Sequence, residues 1–292
     1  MSKPILVSCD SACDLSLELR EQYGIEITHM FIHEGEKIFR DGVDITPDDI
    51  YRIYEETGLL PQTASISPDE YYRFFKEHTD RGEAVVHIAL SSGISSTCQN
   101  AMLAASELEN VHVLDSLALS CSGGLLATQA CRLREDGLDA EDIAAVIGER
   151  IGRTSTSFIV GNLTYLAKGG RCSSVAALGA NLLGIKPAVE MGGGTLAVGK
   201  KYRGTVKSAF EKFLQDKLAL AAEKSDGGSC CVYHAGIDPA LFDHLVEMTK
   251  DAGIFQEVIT ARAGSIISAH CGRETIGFTF QMGPDERHTD LR

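Results

Sequence analysis

The residues best placed to do chemistry are the hydroxyls of Ser91-Ser92-Gly93-Ile94-Ser95-Ser96-Thr97, which lie where a buried-strand pattern hands over to a helical one. Backbone N–H groups, short hydroxyl side chains and the positive end of a helix converge at such a junction and can grip an anion. With no Lys or Arg among them, these hydroxyls suit one negative charge better than a triphosphate. The competing reading is an ordinary strand-to-helix turn in which a serine caps the helix. Gly93 would let the backbone approach whatever is bound. Thr63-Ala64-Ser65-Ile66-Ser67 is a second hydroxyl cluster, and only Ser67 is accounted for, as a helix cap.

His270 stands ahead of Cys271-Gly272-Arg273 at a predicted helix end and can donate a hydrogen bond to a carboxylate in either protonation state, although a lone histidine also serves structure. Cys271 next to it suggests a nucleophile, but adjacent side chains seldom face each other. Arg171 follows Gly169-Gly170 and exposes a guanidinium to a ligand or a protein partner. Asp10 and Asp115 each end a predicted strand and precede a serine. They could bind a metal, act as acid and base, or accept hydrogen bonds from loop N–H groups. The GxSxG, GxxxxGK[ST], GxGxxG and HExxH patterns do not occur where an enzyme needs them. The expectation is therefore a protein without catalytic machinery, metal or cofactor.

The elements that must position these residues follow from periodicity. Short apolar runs at 5–9, 84–90 and 111–114 read as buried strands, each followed by a polar loop and a helix, and 25–33 reads as one further strand. Repeated units of this kind predict a parallel sheet with helices on both faces. Thr46-Pro47-Asp48-Asp49 and Ser67-Pro68-Asp69-Glu70 are helix starts, with 61–66 between as an extended loop. The character changes after Gly137, and a domain boundary is placed near residue 155, giving units 1–155 and 156–292. The second half reads as strands at 186–191 and 196–202 about a Gly192-Gly193-Gly194 turn, a long helix from 206, then alternating strands and helices ending in a strand at 275–282. A small-residue helix is expected over 175–183.

The chain has 292 residues, 44% hydrophobic and 23% charged, as in a compact soluble protein. A formal charge of −14 with 27 scattered basic residues excludes a nucleic-acid backbone as the main partner. Nine cysteines without paired CxxC repeats read as free thiols. No signal region precedes the first strand and no apolar run reaches the ~18 residues of a membrane span, so a cytoplasmic location is expected.

Taken in order, Asp10-Ser11-Ala12-Cys13-Asp14-Leu15, Thr63-Ala64-Ser65, the 90–97 loop, Asp115-Ser116, Gly169-Gly170-Arg171, Ile185-Lys186-Pro187 and Ala269-His270-Cys271-Gly272 resemble the DegV family over nearly the whole chain. The resemblance implies a two-domain α/β fold, shared with dihydroxyacetone kinase subunits: an amino-terminal αβα layer with a parallel sheet and a carboxyl-terminal two-layer α/β unit with a mixed sheet. It implies a lipid-binding, non-enzymatic role in phospholipid synthesis, in which a long-chain fatty acid lies between the domains and a separate fatty-acid kinase subunit phosphorylates its carboxylate. Transient membrane contact would accompany such a role. The carboxylate-binding positions carry over to Thr63, Ser95 with neighbours Ser92 and Ser96, and His270, and the kinase-docking position to Arg171. The alternative is the substrate-binding subunit of a dihydroxyacetone kinase-like enzyme. The 175–183 helix would wall the acyl tunnel. The chain departs from the family pattern at Ala64, Ile66, Ser96, Cys98, Arg273 and Glu274, which bear on head-group geometry and chain-length preference.

Overall fold

The computed structural model describes residues 3–173 and 184–286, so the expected 175–183 helix lies outside the described residues. Strands β1 (Ile5–Asp10), β2 (Ile25–Thr28), β6 (Ala84–Ala89) and β7 (Val111–Asp115) form a parallel sheet in the order β2-β1-β6-β7. Alternation along these strands makes both faces apolar. Val7, Cys9, Val86 and Ile88 meet helices α5 (Cys121–Glu135) and α6 (Ala140–Ile151) on one face. Leu6 and Val85 meet Tyr71 and Phe75 of α3 (Pro68–Asp80) and Ala101 of α4 (Thr97–Ala105) on the other.

The predicted strand over 25–33 is two strands. The chain leaves the parallel sheet at Thr28, and β3 (Phe31–Glu34) joins a separate antiparallel sheet with β4 (Lys37–Arg40) and β5 (Gln62–Ala64), in the order β4-β3-β5. The 61–66 segment is therefore partly a strand, because Ile32 pairs opposite Thr63. Helix α1 (Leu17–Tyr23) precedes β2, and α2 (Pro47–Thr57) and α3 begin in capping boxes at Thr46 and Ser67 with proline in the first turn.

A six-stranded mixed sheet follows, with β8 (Thr154–Val160), β9 (Ile185–Gly192), β10 (Thr195–Arg203), β11 (Ser225–Ala235), β12 (Glu257–Arg262) and β13 (Thr275–Met282) in the order β10-β9-β8-β13-β11-β12. Only β11 and β12 run parallel. Gly193 and Gly194 both have positive φ, as a two-residue hairpin turn requires. One face of this sheet packs on α8 (Val206–Lys224) and α9 (Pro239–Asp251) through Phe210, Phe213, Leu245, Phe278 and Phe280. The opposite face meets α5, where the Ser122 hydroxyl bonds those of Thr156 (2.8 Å) and Thr279 (2.9 Å). Two short helices, α7 (Thr164–Gly169) and α10 (Ser265–Cys271), flank the seam between the sheets, and α7 was not apparent in the sequence.

Candidate functional site

Between the parallel sheet and the mixed sheet lies a cavity of about 290 Å³. Its walls are mostly apolar, among them Leu90, Leu119, Phe158, Leu166 and Ile266. Polar groups enter the lining at Thr63, Ser65, Ser95, Ser96, Arg171 and His270. Thr63 comes from β5 and His270 from the last turn of α10, 207 residues later, and Thr63 Oγ1 lies 2.9 Å from His270 Nε2. The other imidazole nitrogen, Nδ1, lies against the Gly169 backbone without a well-formed hydrogen bond. Burial, reinforced by the Arg171 charge, lowers the histidine to about 4. It is therefore neutral at pH 7, and an incoming carboxylate would raise it again.

The 91–97 loop has been shaped to leave donors free. Ser95 Oγ accepts the Thr97 N–H (3.2 Å), so its own O–H remains available to a ligand. Ser96 Oγ donates to Ser65 Oγ (2.9 Å), which passes the donor role on to Ser65. Ser92 does not line the cavity; its N–H bonds Asp115 Oδ1 (3.1 Å). Gly93 is required for a different reason from ligand approach: a Cβ there would overlap the carbonyl oxygen of Gly194 in the β9–β10 turn. Ser91 Oγ donates to that same carbonyl (2.7 Å), so the loop's inner hydroxyl docks the hairpin.

Asp10 and Asp115 fill the loop-shaping role among those open to them. Asp10 accepts the N–H groups of Leu90 (2.6 Å) and Ala12 (3.2 Å), and burial raises its carboxyl to about 7. Asp115 also takes the Leu117 N–H (3.1 Å). No group of three or more metal-ligating side chains occurs among the described residues. The thiol of Cys271 is buried and pushed up to about 12, and its nearest polar neighbours are backbone carbonyls and Thr275, so it is not a Cys/His nucleophile. Arg171 is exposed, donates from Nη1 to Gly169 O (2.9 Å) and borders the cavity.

Three further residues support the site in ways that their local sequence does not specify. Gly169 leaves room for the imidazole, since a Cβ there would sit 2.6 Å from His270 Nδ1. Asp14 and Asp41 grip the start of α10, accepting the N–H groups of Gly264 (2.8 Å) and Ser265 (2.9 Å) respectively. Asp14 also accepts the hydroxyl of Ser120, a residue held at φ 54 and ψ −143. Asp14 belongs to the Asp10–Leu15 motif and Gly169 to the Gly169-Gly170-Arg171 motif, whereas Asp41 stands in no quoted motif.

An apolar cavity at the seam of the two larger sheets of an α/β protein, with a hydroxyl–imidazole pair in its wall, has the form of a small-molecule binding site. The DegV family model matches residues 4–282, and the chain belongs to that family. A DegV domain-containing protein of Clostridium perfringens is 36% identical over 214 residues, covering 72% of this chain and 77% of the relative. A protein of Thermotoga maritima named fatty acid-binding protein is 28% identical, covering 97% of this chain and 98% of its own. Among solved structures, the fold matches a fatty-acid-binding DegV family protein from Thermus thermophilus with a TM-score of 0.88 at 27% identity, over 96% of this chain and all of that one. A stearic acid-binding protein from Eubacterium ventriosum matches at 0.85 and 26% identity, over 98% and 99% of the chains.

Proposed function

We propose that this protein binds a long-chain fatty acid, encloses its acyl tail in the seam cavity and presents the carboxylate to a separate fatty-acid kinase, which converts it to an acyl phosphate. The observation that carries the reading is the Thr63–His270 pair set in the wall of an otherwise apolar cavity. Thr63, Ser95 and His270 supply donors for the carboxylate, Ser96 contributes through the hydroxyl it gives to Ser65, which leaves the Ser65 O–H for the ligand, and Ser92 acts through the loop it helps shape. The cationic Arg171 lies beside the mouth, where it can guide the anion and engage the kinase. Tail burial is worth about 0.8 kcal/mol per CH₂, so affinity comes from the tail and orientation from the head. Dihydroxyacetone, with no tail, has no use for such walls.

The division near residue 155 belongs to the same proposal, with the ligand between the units, as do a cytoplasmic location and brief membrane contact during lipid pickup. No described helix is long and apolar enough to cross a membrane. Native mass spectrometry of protein purified from cells tests the reading. A bound mass matching a fatty acid is expected. A bare protein that also ignores added stearate would refute it. Arg171→Ala should retain lipid and lose phosphorylation by the kinase; loss of lipid instead would reassign Arg171 to the carboxylate.

A further inference from the structure

Six buried side-chain polar atoms lack a hydrogen-bond partner among the described residues: Arg20 Nε, Tyr51 Oη, His87 Nε2, Ser157 Oγ, Tyr233 Oη and His270 Nδ1. Only Tyr233 and His270 belong to residues that line the cavity. His270 Nδ1 is accounted for by the Gly169 backbone it lies against. Tyr233 is not. It is 3% exposed, stands on β11 and pairs opposite Gly277 of β13. A Cβ at 277 would overlap the phenol ring, so the glycine exists to let this ring lie across the sheet toward the cavity.

The wall around it holds Leu119, Phe158, Ala235, Ala263 and Ile266, which offer no side-chain partner, together with Cys271 and Thr275, whose thiol and hydroxyl are turned to the backbone carbonyls of Cys271 and Gly272. An orphaned buried hydroxyl costs about 1–3 kcal/mol, and phenylalanine would pack on Gly277 equally well without it. A plain acyl chain in the cavity would leave the phenol unpaired. A chain that carries its own hydroxyl would satisfy both groups at once.

We propose that Tyr233 is a specificity residue and that the favoured ligands are long-chain fatty acids bearing a hydroxyl group on the acyl chain. This rests on the fatty-acid reading above and refines its ligand class. The test is titration of the intact protein with stearate and with monohydroxystearates whose hydroxyl sits at successive carbons, each on the native chain and on Tyr233→Phe. At one position the hydroxylated acid should bind the native protein about three- to tenfold more tightly than stearate, and Tyr233→Phe should bring that ratio to about one. Thermal unfolding of Tyr233→Phe should show no loss of stability, since its hydroxyl bonds nothing. If stearate binds and no hydroxylated isomer improves on it, or the ratio survives Tyr233→Phe, the inference fails while the fatty-acid reading stands. If neither stearate nor any isomer binds, the fatty-acid reading itself fails.

Discussion

Replacing Thr63 by valine keeps the β-branched shape on β5 and deletes only the hydroxyl that lies 2.9 Å from His270 Nε2. In the free protein the imidazole, whose Nδ1 already lacks a partner, then has none at either nitrogen, and stability should fall by about 1–3 kcal/mol. In the complex the lost bond is charge-assisted, worth about 1.5–3 kcal/mol, so palmitate should bind roughly ten- to a hundredfold more weakly. Methyl palmitate, with the same tail and no charge, should lose less than about tenfold. Isothermal titration of both ligands against both proteins isolates the interaction between this hydroxyl and the carboxylate charge, as a double-mutant cycle does between residues. Equal losses for acid and ester would refute the head-group assignment, because a hydroxyl that touches only the tail cannot distinguish them.

Acidification should expose His270. Its depressed value of about 4, against an ordinary 6.5, makes its contribution to stability complete above about pH 6.5 and lost as the pH falls toward 4, by about 3 kcal/mol. Asp10, raised to about 7, works with the opposite sign over an overlapping range. Urea unfolding should therefore compare the native chain with His270→Gln, and equal pH slopes would exclude a buried neutral histidine. Asp41→Asn keeps an oxygen for the Ser265 N–H and should cost under about 1 kcal/mol, whereas Asp41→Leu should cost about 2–4 kcal/mol and weaken palmitate binding. Equal stability of the two would show that Asp41 does not hold the start of α10. Gly169→Ala should push the imidazole aside and weaken palmitate binding about tenfold, with methyl palmitate affected less; unchanged palmitate affinity would mean that the ring position is not critical.

Local chemistry made much of the architecture legible. Apolar runs ending at Asp10, Ala89 and Asp115 sit in one parallel sheet, the first two buried on both faces and the third half-buried at its edge, and the Thr46 and Ser67 capping boxes start α2 and α3 where the pattern places them. The Gly193-Gly194 turn followed from glycine's tolerance of positive φ. The break at Thr28 was not legible, because residues 25–33 are uniformly strand-like and only pairing decides that Ile25 joins β1 while Ile32 joins β5.

For the site, the sequence supplied the donor types and tertiary structure decided which donors meet. Ser91 and Ser95 read alike in the chain, yet Ser91 is spent on Gly194 and Ser95 keeps a free O–H over the cavity. Thr63 and His270 are joined through side chains 207 residues apart, and nothing local to either encodes that distance. The needs of Gly93, Gly169 and Gly277 for a missing Cβ depend on a neighbour brought in from another element. Residue type and backbone preference are properties of short segments, so the sequence determined elements and candidate chemistry. Close approach and partner exchange are properties of packed surfaces, so only the assembled sheets decided the site.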